Sequence, residues 1–209
     1  ARGRKRKTDA ADLRAIAFCL RDGQGQPAFL PTDQAVRFQL WGQAYDQTRQ
    51  ALLRQSIQLI SQLDRLWPGL VVNVKRFRQM HPDLETPTPL VLSKPLQRQR
   101  VRALLAHCPN PHDFLALGQT GIQNFYRSHI GRCGSATAKL ACQLVQNALL
   151  PPPDIAALLA DRLQADFSYF LTLEQRLDTL AAQADTLVPG SPAAVLATIP
   201  GVSPLLAAR

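Results

Sequence analysis

Two aspartates near the start of the chain have the spacing of a metal-binding carboxylate pair. Asp9 and Asp12 lie three residues apart directly after Thr8, which is a good N-cap for a helix. Residues at positions i and i+3 share one face of a helix, so both carboxylates would point the same way. Mg²⁺ takes oxygen ligands and commonly binds one or two carboxylates. The pair therefore fits half of the ligand set of a two-metal nuclease, or else a solvated helix start.

A run of basic residues comes directly before the two aspartates. Arg4, Lys5, Arg6 and Lys7 would offset the charge of a phosphate backbone at a metal site, although a solvated basic tail has the same sequence. The whole chain has a net charge of +9 and a pI of about 10.0, which suits a polyanionic partner. No Gly-rich phosphate loop, GxSxG or HExxH motif is present in the sequence. Metal-assisted phosphoryl transfer is thus the one reaction class that these residues suggest.

A second concentration of basic residues lies in the middle of the chain. It comprises Lys75, Arg76, Arg78, Lys94, Arg98, Arg100, Arg102, Arg127, Arg132 and Lys139. A polyanion requires clustered Lys and Arg, so we predict nucleic-acid contacts here, foremost from Lys75, Arg76, Arg78, Arg98 and Arg102. Aromatic residues are sparse in this block, which favours contact with nucleic-acid shape and backbone over the reading of single-stranded bases.

Composition and apolar periodicity predict a mainly α-helical protein. Leu, Ala and Gln dominate the sequence, and these residue types favour helix over sheet. The pattern predicts helices over residues 33–66, 95–107, 111–129, 135–149 and 154–187, with Thr32 or Asp33 as the cap of the first. The prolines and turn residues of 67–95 predict an irregular segment, with a short strand or a helical turn near residues 70–77.

The helix predicted over residues 154–187 has its apolar residues in a heptad pattern. They recur at alternating steps of three and four, at Phe170, Leu173, Leu177, Leu180, Ala184 and Leu187. This pattern predicts a coiled-coil arm that pairs with the helix over 33–66 or with another subunit. The alternative is a helix packed in an ordinary core.

The last residues of the sequence contain a glycine-bearing turn between two apolar helical segments. Ile199-Pro200-Gly201-Val202 has the turn pattern of a helix-hairpin-helix. In that motif the backbone around the turn contacts a DNA phosphate, so Pro200 and Gly201 are predicted DNA contacts. Tight apolar helix turns without a role in DNA binding use the same residue types.

Other sequence features bear on compartment and completeness. The four cysteines form no CxxC pair, and His107, Cys108 and His112 match no common zinc frame, so we expect reduced thiols. No uncharged apolar run of about 18 residues is present, and the basic start lacks the apolar region of a signal peptide. We therefore expect a cytoplasmic protein without a membrane span. Both ends of the sequence look cut, which predicts a fragment of a longer protein.

Three stretches together resemble the DEDD insertion-sequence transposases, the bridge-RNA-guided recombinases. KTDAADLRAIA, which begins at Lys7, resembles the signature that closes their RuvC-like domain. ATIPGVSPLLAA, which begins at Ala197, resembles the motif that opens their C-terminal transposase domain. The stretch between them, with WPGL, LLAHCPNPHDFLALG and the heptad helix, resembles the helical region that joins those domains.

The resemblance implies a domain organisation and a site. Residues 1–30 would end an RNase H-like α/β domain of RuvC type, 31–188 would form a helical coiled-coil connector, and 189–209 would begin a transposase domain with a helix-hairpin-helix. Asp9 and Asp12 match the last two acids of the family's set of four, which implies a catalytic role and bound Mg²⁺. The other two acids would precede this sequence. The family's serine would follow Arg209, because Ser203 instead occupies the second glycine position of the turn motif.

By this resemblance the chain is a fragment of a transposase. The family performs DNA transposition and site-specific recombination by metal-assisted strand cleavage and transfer, guided by RNA. The implied partners are DNA, a guide RNA and further copies of the chain joined through the helical connector, in the nucleoid-associated cytoplasm. Two alternatives remain: another RuvC-like nuclease such as a junction resolvase, and a non-enzymatic helical module for nucleic-acid binding or assembly.

Overall fold

Helices account for most of the part of the chain that the structure describes. The structure is a computed structural model, and it describes residues 17–18, 21–22, 32–72, 74–80, 82–83, 85, 89–91, 93–191 and 193–208. Contacts between Cα atoms divide the chain into two units, residues 1–39 and residues 40–209. Within the described ranges the only β-structure is an isolated bridge between Val71 and Val91. The prediction of a mainly α-helical protein is therefore confirmed.

Nine α-helices and one 3₁₀ turn have both ends among the described residues. In chain order they are α1 (Asp33–Leu66), α2 (Val74–Met80), the 3₁₀ turn (Pro95–Gln97), α3 (Gln99–His107), α4 (Pro111–Ala116), α5 (Gly118–Ile130), α6 (Ser135–Asn147), α7 (Pro153–Leu187), α8 (Ala194–Ala197) and α9 (Pro204–Ala208).

Helix α1 begins and ends where the sequence predicts. The hydroxyl of Thr32 accepts a hydrogen bond from the Ala35 amide at 3.3 Å, which is the interaction of an N-cap residue. At the other end the chain turns at Trp67, Pro68 and Gly69, and Gly69 adopts a left-handed φ of 83°. Proline cannot continue the helix and glycine adopts this φ at low cost, so these residues end α1.

Helices α1 and α7 run antiparallel and are joined by side-chain hydrogen bonds. The indole nitrogen of Trp41 donates to the Leu180 carbonyl at 2.9 Å, and the Gln55 amide donates to the Asp166 carbonyl at 3.1 Å. The second contact lies later along α1 but earlier along α7, so the two chain directions oppose each other. Pairing of these two helices within one chain is one of the alternatives that the heptad pattern left open.

The apolar seam of α7 is longer than its heptad pattern predicts. Phe170, Leu173 and Ala184 are buried as expected, and the buried face extends toward the N-terminus through Ala156, Ala160, Leu163 and Phe167. The N-terminal half of this face packs with α3 to α6 in one core cluster. The C-terminal half packs with Trp41 and Tyr45 of α1 and with Leu205 and Ala208 of α9. One face of α7 thus contributes residues to both core clusters.

The segment predicted as one helix over 111–129 is two helices. Helix α4 ends before Leu117, and Gly118 takes a left-handed φ of 63° at the start of α5. A Cβ on Gly121 would lie only 2.9 Å from Cβ of Leu117, so the chain approaches itself closely at this break. The prediction of an unbroken helix was wrong because a single glycine costs little in a helix unless packing selects its left-handed form.

The region between α1 and α3 contains both extended and helical structure, the two alternatives that the sequence left open near residues 70–77. Val71 forms a parallel bridge with Val91, and the Val91 amide donates to the Leu70 carbonyl at 3.1 Å. Residues Val74–Met80 form α2. The bridge joins the chain just beyond the end of α1 to the segment before the 3₁₀ turn.

The turn between α8 and α9 accommodates Ser203, at the position where the motif that this stretch resembles has its second glycine. Gly201 has a left-handed φ of 86°, whereas Ser203 has no positive φ. The Ser203 hydroxyl accepts a hydrogen bond from the Leu206 amide at 3.3 Å and thus caps α9. A side chain at position 203 is therefore compatible with the turn.

We expect Trp67→Phe to destabilise the protein. Trp67 is 2% exposed, its indole nitrogen donates to the Pro109 carbonyl at 2.7 Å, and its ring meets Phe114 edge-on. The variant leaves that carbonyl without its partner and opens a small void, which should lower the free energy of unfolding by about 1–3 kcal/mol. Urea unfolding followed by circular dichroism measures the loss.

Leu149→Ala is the control for Trp67→Phe. Leu149 is 94% exposed, so its truncation should change the free energy of unfolding by less than about 0.5 kcal/mol. Equal stability of the two variants would contradict the anchoring role of Trp67.

Candidate nucleic-acid interface

Two pairs of arginines, distant from each other in the sequence, line two adjoining cavities. One cavity is lined by Arg98, Arg100 and Arg132, and the other by Arg100, Arg127 and Arg132. Arg98 and Arg100 come from the start of α3, while Arg127 and Arg132 lie at and just beyond the end of α5. Because α3 packs against α5, the two basic pairs face the same surface. We call this surface the arginine groove.

The arginine groove carries no compensating negative charge among the described residues. Neither cavity is lined by Asp or Glu, and none of the four arginines forms an ion pair in the described part of the chain. Arg98 donates only to the backbone and hydroxyl of Ser93. Between residues 94 and 139 the sequence has seven Lys or Arg against Asp113 alone, a net charge of +6. This surface attracts anions.

The start of α3 adds to the positive potential of the groove. Arg98 is its N-cap residue and makes no side-chain cap hydrogen bond, and the first turn carries no acid. A helix N-terminus bears a partial positive charge and unpaired amides, which acidic or capping side chains normally offset. At the start of α3, Arg98 and Arg100 occupy the positions where acidic or capping side chains normally lie. An anion bound in the groove would relieve both the uncapped helix end and the repulsion between guanidinium groups.

Tyr126, a buried residue that interacts electrostatically with Arg100, does not reduce the positive charge of the groove. Burial raises the pKa of Tyr126, and the positive charge of Arg100 only partly opposes that shift. The phenol therefore stays protonated at neutral pH and does not neutralise Arg100. Its oxygen is buried and has no hydrogen-bond partner among the described residues.

Arg102, one of the predicted nucleic-acid contacts, is engaged within the protein. Its guanidinium bonds both carboxylate oxygens of Glu174 on α7, at 3.2 and 2.6 Å, and donates to the Leu96 carbonyl. It also lies 5.9 Å from the Phe167 ring and 6.0 Å from the Phe170 ring. A bidentate pair of this kind fixes a side chain in place, and it joins α3 to α7.

The other predicted contacts are spread over the chain. Lys75 and Arg78 are exposed on α2, whose backbone includes Arg76, and neither Lys75 nor Arg78 lines the groove; the Arg76 side chain lies outside the described residues. Pro200 and Gly201 are exposed in the turn before α9. Of the predicted contacts whose side chains the structure describes, only Arg98 lines the arginine groove.

The predicted metal site cannot be placed against this surface. Asp9 and Asp12, together with Arg4, Lys5, Arg6 and Lys7, lie outside the described residues. Within the described residues no group of three or more His, Cys, Asp or Glu is arranged to hold a metal ion. The assignment of Mg²⁺ to Asp9 and Asp12 therefore stays a prediction.

Sequence reasoning placed Arg100, Arg127 and Arg132 in the basic block without singling them out. Nothing in their spacing shows that they converge, because Arg100 and Arg127 lie on different helices that are far apart in the sequence. Their convergence follows from the packing of α3 on α5 and from the turn after α5. That turn is made by Gly131, whose φ is 77°. The scarcity of acids in this block is the one local signal that points to them.

Comparisons with known proteins do not add to this picture. No family model, no curated protein and no solved structure matches the chain. Among the described helices, none combines the length and the apolar character needed to cross a membrane.

We expect Arg102→Ala to affect stability more than nucleic-acid binding. The change removes two charge-assisted hydrogen bonds and leaves Glu174 unpaired, but both side chains are about a third exposed. Solvent screening limits the loss to about 1–2 kcal/mol of unfolding free energy. Affinity of the folded protein for duplex RNA should change less than twofold. Urea unfolding and fluorescence anisotropy measure the two effects.

Arg102→Lys tests the same interaction while keeping the charge. Lysine cannot form the bidentate pair or stack on the two phenylalanines in the same way, so most of the stability loss should remain. A stable Arg102→Ala protein that no longer binds duplex RNA would contradict a structural role for Arg102.

Proposed function

We propose that this chain is a helical nucleic-acid-binding module that holds a phosphate backbone in the arginine groove. The observation that carries this proposal is the convergence of Arg98, Arg100, Arg127 and Arg132 on one surface without an acidic partner among the described residues. Guanidinium groups bind phosphate through paired hydrogen bonds, and charged groups held together without counter-ions favour a polyanion over a single small anion.

Binding at this groove depends on phosphate charge. Each phosphate that an arginine neutralises releases condensed counter-ions, so affinity falls steeply as salt rises. Contacts of this type position a nucleic acid but carry little sequence information. Sequence choice would then come from base pairing by a guide RNA or from other surfaces, which agrees with the RNA-guided family that the end motifs resemble.

Within that family, the proposal extends to a transposase fragment. The support is the order of the two end motifs and the long helices between them. The paired helices α1 and α7 would be the coiled-coil connector, and copies of the chain would assemble through it. The RuvC-like end would supply Asp9 and Asp12 to Mg²⁺. The exposed turn at Pro200 and Gly201 would meet a DNA phosphate as part of a helix-hairpin-helix.

The groove is tested by the double variant Arg100→Ala/Arg132→Ala. The unaltered chain should bind RNA and duplex DNA at low salt and lose both at about physiological salt. The double variant should lower affinity at low salt by at least about tenfold. It should also reduce the slope of log affinity against log salt by about one for each lost phosphate contact. Anisotropy titrations across a salt series measure both.

A charge-matched control separates the groove from net charge. Arg49→Ala/Arg54→Ala removes the same charge from exposed positions of α1 that line neither groove cavity. Its salt slope should stay within about 0.3 of the unaltered value, because long-range attraction alone is screened by salt. Equal losses in the two double variants would refute a phosphate site in the groove.

The transposase part of the proposal is tested through the metal. With Mg²⁺ this chain should leave supercoiled plasmid uncut, because its sequence contains no match to the family's other two acids or to its serine. A longer chain that restores those residues should cut DNA with Mg²⁺, and Asp9→Asn/Asp12→Asn in that chain should abolish cutting. Mg²⁺-dependent nicking by the present chain, or full activity of the double variant, would contradict this assignment.

A further inference from the structure

A third cavity continues the arginine groove toward α7. Its volume is about 510 Å³, and it shares Gln99 and Ile130 with the cavity that Arg98 and Arg100 line. Its walls combine apolar side chains, among them Phe167 and Leu171, with the rings of His107 and His129. The cavity is therefore of mixed character and opens directly beside the positions proposed for phosphate in the groove.

Two histidine rings are stacked at this cavity. The centroids of His107 and His129 are 3.9 Å apart and the ring planes differ by 16°. The Phe125 ring lies 4.8 Å from His129 on a tilted plane and is itself part of the buried aromatic cluster around Phe114 and Tyr126. The stack is thus supported from the core, while both histidines are exposed to solvent.

The stacked arrangement fits a planar partner better than a metal ion. Ring nitrogens of parallel histidines have lone pairs that lie in parallel planes, and these do not converge on one ion as metal ligands do. No other ring in the described part of the chain stacks on His107. Stacking on histidine, tyrosine or phenylalanine is how proteins hold splayed-out bases of single-stranded RNA.

We propose that this cavity binds one unpaired nucleobase of an RNA whose neighbouring phosphates lie in the arginine groove. This inference rests on the proposed function and names the part of the nucleic acid that the site takes. The base would stack on His107 and lie against Phe167, with the Gln99 amide within the shared wall to meet its polar edge. The next phosphate would lie at Arg98 or Arg100, across Gln99. A base held in a duplex cannot enter, so the site favours loops, bulges and single strands.

The proposed base site lies in the block whose low aromatic content predicts contact with nucleic-acid shape and backbone. Phenylalanine and tyrosine are sparse there, but His107 and His129 supply the missing rings, and helix packing brings them together from the ends of α3 and α5. Base stacking tolerates any base, so this contact would add affinity for unpaired RNA without selecting its sequence.

The proposal is tested with two RNA probes of equal charge. One is a duplex and the other is a single strand with 2-aminopurine at one position, whose fluorescence falls on stacking. His107→Ala should weaken single-strand binding by about 5- to 100-fold and abolish the fluorescence change, while duplex affinity and both salt slopes stay unchanged. His107→Phe should restore single-strand binding, because a phenyl ring keeps the stacking surface. Thermal unfolding confirms that each variant is folded at the temperature of the titration.

Tyr169→Ala is the matched control. Tyr169 is an exposed aromatic residue on α7 that lines neither this cavity nor the groove, so its removal should leave both probes bound as before. Equal weakening of single strand and duplex by His107→Ala, or no rescue by phenylalanine, would overturn the base site while leaving the groove intact. If Arg100→Ala/Arg132→Ala instead leaves the binding of both probes unchanged, the proposed phosphate site in the arginine groove is refuted.

Discussion

The antiparallel contact between α1 and α7 is the constraint on which the positions of the other elements depend. The apolar face of α7 is continuous from Ala156 to Ala184. Helix α1 packs in both core clusters along this face, whereas α3 to α6 pack only in the first and α9 only in the second. Near the middle, the Gln55 amide bonds the Asp166 carbonyl, while the carboxylate of Asp166 accepts from Gln58 at 3.0 Å and Gln62 at 2.7 Å. An apolar seam alone permits sliding by a turn or a heptad, whereas a polar group that is satisfied in one register only opposes it. This polar contact therefore fixes which residues of α1 meet α7.

The arginine groove follows from that arrangement and is not optimised for the stability of the isolated chain. Once α7 holds α3 through the Arg102–Glu174 pair, α5 packs on α3 and brings the basic ends of both helices together. Two arginines at a helix N-terminus are unfavourable next to the positive end of its dipole, and four guanidinium groups on one surface repel one another. A fold keeps such a surface at a cost in stability, and a bound polyanion removes that cost. The same reasoning separates Arg102, whose charge is balanced by Glu174, from its neighbours Arg98 and Arg100.

Local signals in the sequence predict the long helices well, whereas the site depends on contacts that no local signal reveals. Thr32 and the Trp67-Pro68-Gly69 turn bound α1 because capping and proline chemistry act within a few residues. The break at Leu117 and Gly118 was missed, since a glycine is tolerated within a helix and the sequence around it carries no further sign of a left-handed φ. Arg102 was predicted to contact nucleic acid because it lies in the basic block. Its pair with Glu174 could not be predicted, because the two residues are distant in the sequence. Asp9 and Asp12 lie outside the described residues, so the role that the family resemblance implies for them remains a prediction.

Charge on α7 limits where a polyanion can lie. This helix carries six acids against Arg162 and Arg176. Glu174 is used by Arg102 and Asp166 by the glutamines of α1, but Asp154, Asp161, Asp178 and Asp185 are exposed. Phosphates approaching α7 meet like charge, whereas those approaching α3 and α5 meet arginine. A nucleic acid bound at the proposed site in the groove would thus be repelled from most of the neighbouring long helix. The cavity beside His107 and His129 is where the two regions meet, and its α7 wall is formed by Phe167 and Leu171. A base carries no net charge and has apolar faces, so in the proposed complex it would enter where a phosphate cannot. The backbone would then run outward along the arginines.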